Sequence, residues 1–183
     1  MKHPIVAAIR TREDFDKAMK SDVDMVFLLH SNIMTLKSDI DKSHDAGKKA
    51  FVHIDFAEGV GRDRAGMKFL KELGADGIGT TRTNLVRMAK ENGLITVQRF
   101  FMIDSHSVTT SIDSMKISKP DVVEMMPAIV TKKIHEFADL VDVPIIAGGL
   151  VETIDEVRAA LEAGATVVST SDPDLWTLSK EDL

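Results

Sequence analysis

Two short stretches near the C-terminus carry the residue types that hold an anion. One is Gly148-Gly149, inside Pro144-Ile-Ile-Ala-Gly-Gly-Leu150. The other is Thr170-Ser171, followed at once by Asp172-Pro173. Glycine lets backbone N–H groups approach an oxyanion closely. A Ser/Thr-Asp-Pro string reads as the start of a helix, whose first N–H groups are unpaired and favour negative charge. Gly148, Gly149, Thr170 and Ser171 are therefore candidates for binding phosphate, against the plainer reading of Gly148-Gly149 as a tight turn.

A second set could hold or transform the rest of a small ligand: Arg10, His30, Asp55, Arg82, Arg99 and Glu124. Each ends, or nearly ends, a short apolar run. Asp55 and Glu124 could act as a general acid and base if the chain brings them together. Arg82 and Arg99 could clamp an anion, or could form rim salt bridges to an acid such as Asp104. His53 and Asp55, two apart, would share one face of a strand. They read as a metal pair, an acid–base pair, or a buried histidine beside a lone rim carboxylate, and no third ligand follows at a diagnostic spacing. Gly59-Val-Gly61 lacks the third glycine of a dinucleotide fingerprint and reads as a loop. No lysine ends an apolar run, which argues against Schiff-base chemistry. Without cysteine there is no disulfide, thiolate zinc site or thiol nucleophile.

The elements that must position these residues come in a regular rhythm. Eight apolar runs recur: Ile5–Ile9, Met25–Leu29, Ala50–Phe56, Gly77–Thr81, Ile95–Phe101, Val122–Pro127, Pro144–Leu150 and Thr166–Ser171. Between them apolar residues fall at helical spacing, as in Ile154, Val157 and Leu161. Apolar strands alternating with helices indicate a parallel sheet covered on both faces. Gly47, Gly74, Gly93 and Gly164 stand where helices should stop. Asn32, Thr83, Ser105 and Thr153 stand where helices should start. The reading is an α/β fold, a single-domain (βα)8 TIM-type barrel over residues 1–183, with an open doubly wound sheet as the alternative. At roughly 23 residues per unit the barrel must be compact, with one or two helices cut to a turn. Trp176 follows the last strand, where a short final helix would pack.

The segment Glu72–Thr81 echoes Glu162–Ser171 at a shift of 90 residues. A duplicated half-barrel or shared turn chemistry would each explain that. In a barrel the candidate residues would gather at one end, where such folds place their sites, and phosphate is frequently held by the last two loops.

The chain has 183 residues, 44% hydrophobic and 28% charged, with a net charge of −6. That balance fits one globular domain and disfavours a general nucleic-acid or anionic-membrane binder. Basic residues are dispersed, aromatics are few and tyrosine is absent. No stacking platform for single-stranded RNA is evident. No signal peptide or membrane span is read, so the expected location is cytoplasmic.

Several strings together resemble the glycerol-uptake operon antiterminator regulatory proteins. They are Ala8-Ile-Arg10, His53-Ile-Asp55, Gly77–Arg82, Val97-Gln-Arg-Phe-Phe-Met-Ile-Asp-Ser105, Lys119-Pro-Asp121, Glu124-Met-Met-Pro127, Pro144–Leu150, Thr170-Ser171 and Leu175-Trp176. The resemblance covers nearly the whole chain in order. It implies a phosphate-binding barrel that responds to glycerol 3-phosphate and binds leader mRNA, preventing premature termination of glycerol-utilisation transcripts. It implies a regulator rather than an enzyme, with no cofactor or metal. Gly148, Gly149, Thr170 and Ser171 would take the phosphate. Asp55, Arg82, Arg99 and Glu124 would meet the glycerol end or form the pocket wall. The competing reading is an isomerase, lyase or phosphodiesterase acting on a small phosphorylated substrate. A third is a metabolite-binding protein that associates with another protein or with a second copy of itself.

Overall fold

A computed structural model describes residues 3–183; Met1 and Lys2, the first two residues of the domain read from sequence, lie outside the described residues. Eight parallel strands close into a barrel in the order β1 (Ile5–Ile9), β10 (Val167–Thr170), β9 (Ile145–Gly148), β8 (Val122–Met126), β7 (Ile95–Phe101), β6 (Gly77–Thr80), β4 (Lys49–His53), β2 (Met25–Leu28). Among the described residues seven α-helices surround it: α1 (Arg12–Ala18), α2 (Ile33–Asp45), α3 (Arg64–Glu72), α4 (Thr83–Glu91), α5 (Ser107–Ser118), α6 (Thr131–Ala138) and α7 (Ile154–Glu162). A 3-10 turn, Pro173–Thr177, replaces the eighth. Two further strands, β3 (Ser31–Asn32) and β5 (Ala57–Glu58), pair above the barrel.

The strands read as unbroken apolar runs because both of their faces are buried. One face looks into the barrel, where Val6, Met25, Phe27, Phe51, Val97, Ile146 and Val167 pack together. The Phe27 and Phe51 rings meet edge to face, 5.9 Å between centroids. Gly77 makes room for that packing, since a Cβ there would lie 2.4 Å from the Phe51 ring. The other face meets the helices through residues such as Ile78, Val123 and Ala147 against Leu70, Leu85 and Phe137.

The predicted helix stops Gly47, Gly74, Gly93 and Gly164 all have positive φ. Gly74 and Gly164 precede β6 and β10, four strands apart around the barrel, which is where the internal echo falls. Asn32 and Thr153 cap α2 and α7 as expected. Two expected caps are corrected. Thr83 lies one residue inside α4, and its hydroxyl bonds Ser114 at 2.8 Å instead. Ser105 precedes the cap of α5; Asp104 accepts the His106 N–H at 2.9 Å and takes over the local turn.

The third strand is also shorter than expected. It stops at His53, and Ile54–Phe56 turn as a 3-10 helix. The cause is Asp55, whose carboxylate accepts the Thr80 hydroxyl at 2.9 Å and the Thr81 N–H at 2.8 Å. Those bonds draw the chain out of the strand and tie it to the end of β6. His53 and Asp55 therefore do not share a strand face.

Candidate functional site

The carboxyl ends of β1, β7, β8, β9 and β10 enclose a cavity of about 590 Å³. Its floor is an ion pair. Arg99 and Glu124 stand opposite each other in the β7–β8 register, and Arg99 Nε donates to Glu124 Oε2 at 2.7 Å. The two side chains are 9% and 2% exposed. Strand alternation points both inward, and only an ion pair allows two charges so little water. Glu124 Oε1 is turned towards β9, where a Cβ on Gly148 would lie 2.8 Å from it.

One wall is the loop after β9. Gly149 has φ of +80°, and a Cβ there would lie 2.6 Å from the Met126 side chain. Leu150 follows, also left-handed at φ 59°. The facing wall is the end of β10: Ser169, Thr170, Ser171 and Asp172. The Thr170 hydroxyl donates to Val151 O at 2.9 Å and accepts the Asp172 N–H at 3.1 Å, so it locks the two loops together. Asp172 caps the final 3-10 turn by accepting the Asp174 N–H at 3.0 Å. From that turn Trp176 Nε1 donates to Thr170 O at 3.0 Å. Arg10 closes the mouth from the end of β1.

Of the residues singled out from sequence, Arg10, Arg99, Glu124, Gly149, Thr170 and Ser171 line this cavity, and Gly148 adjoins it through Glu124. His30 lines a neighbouring smaller cleft. Asp55 and Arg82 stand apart from the cavity wall. Arg82 Nε lies 3.6 Å from Asp55 Oδ1. Arg82 thus takes the salt-bridge alternative, with Asp55 rather than Asp104 as its acid, and Arg99 pairs with Glu124 on the next strand. Asp55 is engaged by Thr80, Thr81 and Arg82, and Glu124 by Arg99. Sequence reasoning missed Ser169, 3% exposed on the cavity wall. Counting back by two from Ser171 would have found it.

His53 sits inside the barrel at 4% exposure, stacked on Phe56. Its two ring nitrogens have no hydrogen-bond partner. Burial, helped by the nearby Arg99 charge, pushes its pKa down to about 4, so the ring is neutral. Among the described residues no group of three or more His, Asp or Glu side chains could hold a metal ion.

The family model for the glycerol-3-phosphate responsive antiterminator matches residues 5–176, which spans every strand of the barrel. The chain belongs to that family. It is 32% identical over 98% of its length to the uncharacterized protein YgcP of Escherichia coli strain K12, covering 95% of that protein. Two solved structures superimpose closely. The glycerol uptake operon antiterminator regulatory protein of Listeria monocytogenes str. 4b F2365 gives a TM-score of 0.90 at 30% identity, with 96% of each chain covered. A glycerol uptake operon antiterminator-related protein of Thermotoga maritima MSB8 gives 0.86 at 36% identity, covering 97% of this chain and 100% of the other. The antiterminator family is regulatory, and transcription regulation and glycerol metabolism fit this member.

Proposed function

We propose that this antiterminator family member is a cytoplasmic, non-catalytic sensor that binds glycerol 3-phosphate and, in response, binds leader mRNA of glycerol-utilisation genes. The observation that carries the reading is the cavity between the β9 and β10 loops, in a chain that belongs to this family. The phosphate lies against Gly148, Gly149, Thr170 and Ser171. Because the Thr170 hydroxyl is already engaged, Thr170 contributes backbone, and Ser171 contributes its hydroxyl. Arg99 is neutralised by Glu124, so Arg10 supplies the uncommitted positive charge. The glycerol hydroxyls meet Glu124 Oε1 and the remaining Arg99 N–H groups.

Output requires that the ligand bind the RNA-competent state better than the other, with a coupling of about 1–3 kcal/mol. The enzyme alternative rested on the barrel fold and on Asp55 with Glu124; the two carboxylates are engaged by different groups, Asp55 by Thr80, Thr81 and Arg82 and Glu124 by Arg99, which favours the sensor. Leader-RNA binding measured by fluorescence anisotropy, with and without glycerol 3-phosphate at fixed salt, tests the proposal. Glycerol 3-phosphate should tighten RNA binding by roughly 5- to 150-fold. Absence of RNA retention at low salt, with ligand present, would overturn it.

A further inference from the structure

A second cleft, of about 290 Å³, adjoins the large cavity, and Arg10 lines both. Its size is near the lower end for small-ligand sites. The pairing of β3 with β5 builds it, by setting Ser31 opposite Ala57 and Asn32 opposite Glu58. Asn32 Nδ2 donates to Glu58 Oε2 at 2.9 Å and fixes that edge.

His53 and Phe56 are three residues apart and stack across the 3-10 turn, and the same pairing brings His30 beside them. His53 lies buried at the foot, and Phe56 stacks on it at 4.9 Å with 26° between planes. His30 stands 5.9 Å from Phe56 on the rim. Phe56 is 52% exposed. A stacking platform that the sequence does not display is thus made by the fold.

Charge gathers around the same ring. Arg10 and Arg12 line the cleft with Phe56. Arg62 donates to the backbone oxygen of Asp55 at 2.7 Å, and Arg82 pairs with the Asp55 carboxylate. Arg12 is paired with Asp39 and Asp16, and Arg82 with Asp55, so Arg10 and Arg62 carry the charge left near this exposed phenylalanine in a chain whose net charge is −6. Asp39 and Glu58 in the cleft accept from Arg12 and Asn32, and their remaining oxygens add acceptors. A π-face, guanidinium groups for a phosphate backbone, and acceptors for a base edge are the parts that hold an unstacked nucleobase.

We infer that this cleft takes a nucleobase of single-stranded RNA, stacked on Phe56, with Arg10 as the wall it shares with the ligand cavity. The inference rests on the antiterminator reading and adds to it the place where RNA docks.

The test measures leader-RNA affinity of wild type, Phe56→Leu and Phe56→Trp at one salt concentration, with glycerol 3-phosphate present. Calorimetry on each variant checks binding of glycerol 3-phosphate itself. Phe56→Leu should weaken RNA binding about tenfold, since a base loses its aromatic partner. Phe56→Trp should bind RNA at least as well as wild type. Both variants should bind glycerol 3-phosphate as wild type does, because Phe56 does not line that cavity. If wild type and Phe56→Leu bind RNA equally, the base site is refuted and the antiterminator reading stands. If wild type binds no RNA, that reading fails and takes this one with it. Adenosine and uridine monophosphates form a separate arm. Their binding in a Phe56-dependent way, without RNA binding, would overturn RNA as the occupant in favour of a free nucleotide.

Discussion

Arg99 and Glu124 hold charges that neither could carry alone at this depth. Removing one partner of a buried pair leaves an uncompensated charge, at a cost of about 3–5 kcal/mol. The adjoining cavity admits solvent and softens that figure, so Glu124→Ala should lower stability by about 3 kcal/mol in urea unfolding. The double variant Arg99→Met, Glu124→Leu should recover most of the loss. If the double variant is no more stable than the single one, the cost lies in packing rather than charge. His53 makes a pH prediction. Its ordinary pKa is 6.5, and burial holds it near 4 in the fold. The unfolded chain therefore takes up a proton first as pH falls. The stability from keeping His53 neutral is fully present above pH 6.5 and is lost progressively as pH drops toward 4. Stability curves measured across that window should flatten in His53→Phe, which has no proton to gain. An equal slope in that variant would assign the acid sensitivity to other groups.

Helix α7 shows how an element sets a loop. Thr153 and Glu156 form a reciprocal capping box, and Glu156 also accepts the Glu152 N–H at 2.8 Å. Glu152 lines the large cavity, so the cap of α7 holds down the loop that follows β9. Thr153→Ala should cost about 1 kcal/mol, as loss of a cap typically does. The expected measurement is a modest fall in melting temperature with a larger loss of glycerol 3-phosphate affinity. A fall in stability with unchanged affinity would show the loop to be held by Thr170 and Val151 instead. The caps also show where reading the sequence stops. Thr11, Asn32, Asp63 and Thr153 cap through local bonds that a sequence can display. Thr83 does not, because its hydroxyl meets Ser114 from another helix.

At the scale of the whole molecule, the barrel must close between its first and last strands. β1 pairs with β10, placing Ile5 opposite Val168 and Ala7 opposite Thr170. Trp176, 1% exposed, packs after β10 and bonds Thr170 from the 3-10 turn that stands in for an eighth helix. Trp176→Ala should cost about 3–5 kcal/mol, combining a large cavity with an unpaired carbonyl. As the chain has a single tryptophan, its fluorescence in wild type reports the seam directly. Fluorescence and far-ultraviolet circular dichroism should follow one denaturation curve if barrel closure and folding are the same event. An early fluorescence transition would mean that the seam opens first.

The sequence by itself determined the barrel, all eight of its strands and the glycine stops between them. These rest on periodicity and on turn residues, which act over a few neighbours. It also determined the glycine-rich and Ser/Thr-rich loops that face each other across the cavity, since their order along the chain fixes their place around a closed sheet. Only the tertiary structure decided how the charged residues pair. Asp55 turns to β6 and Arg82, while Glu124 turns to Arg99, because register sets which strand ends stand side by side. Nor could the sequence show that His30 comes beside the stacked His53 and Phe56 rings, as that requires β3 and β5 to meet above the barrel. Local patterns fix elements because their forces act within a turn or a strand. Contacts between chemically competing partners are settled by which backbone positions the closed barrel brings within a hydrogen bond's reach.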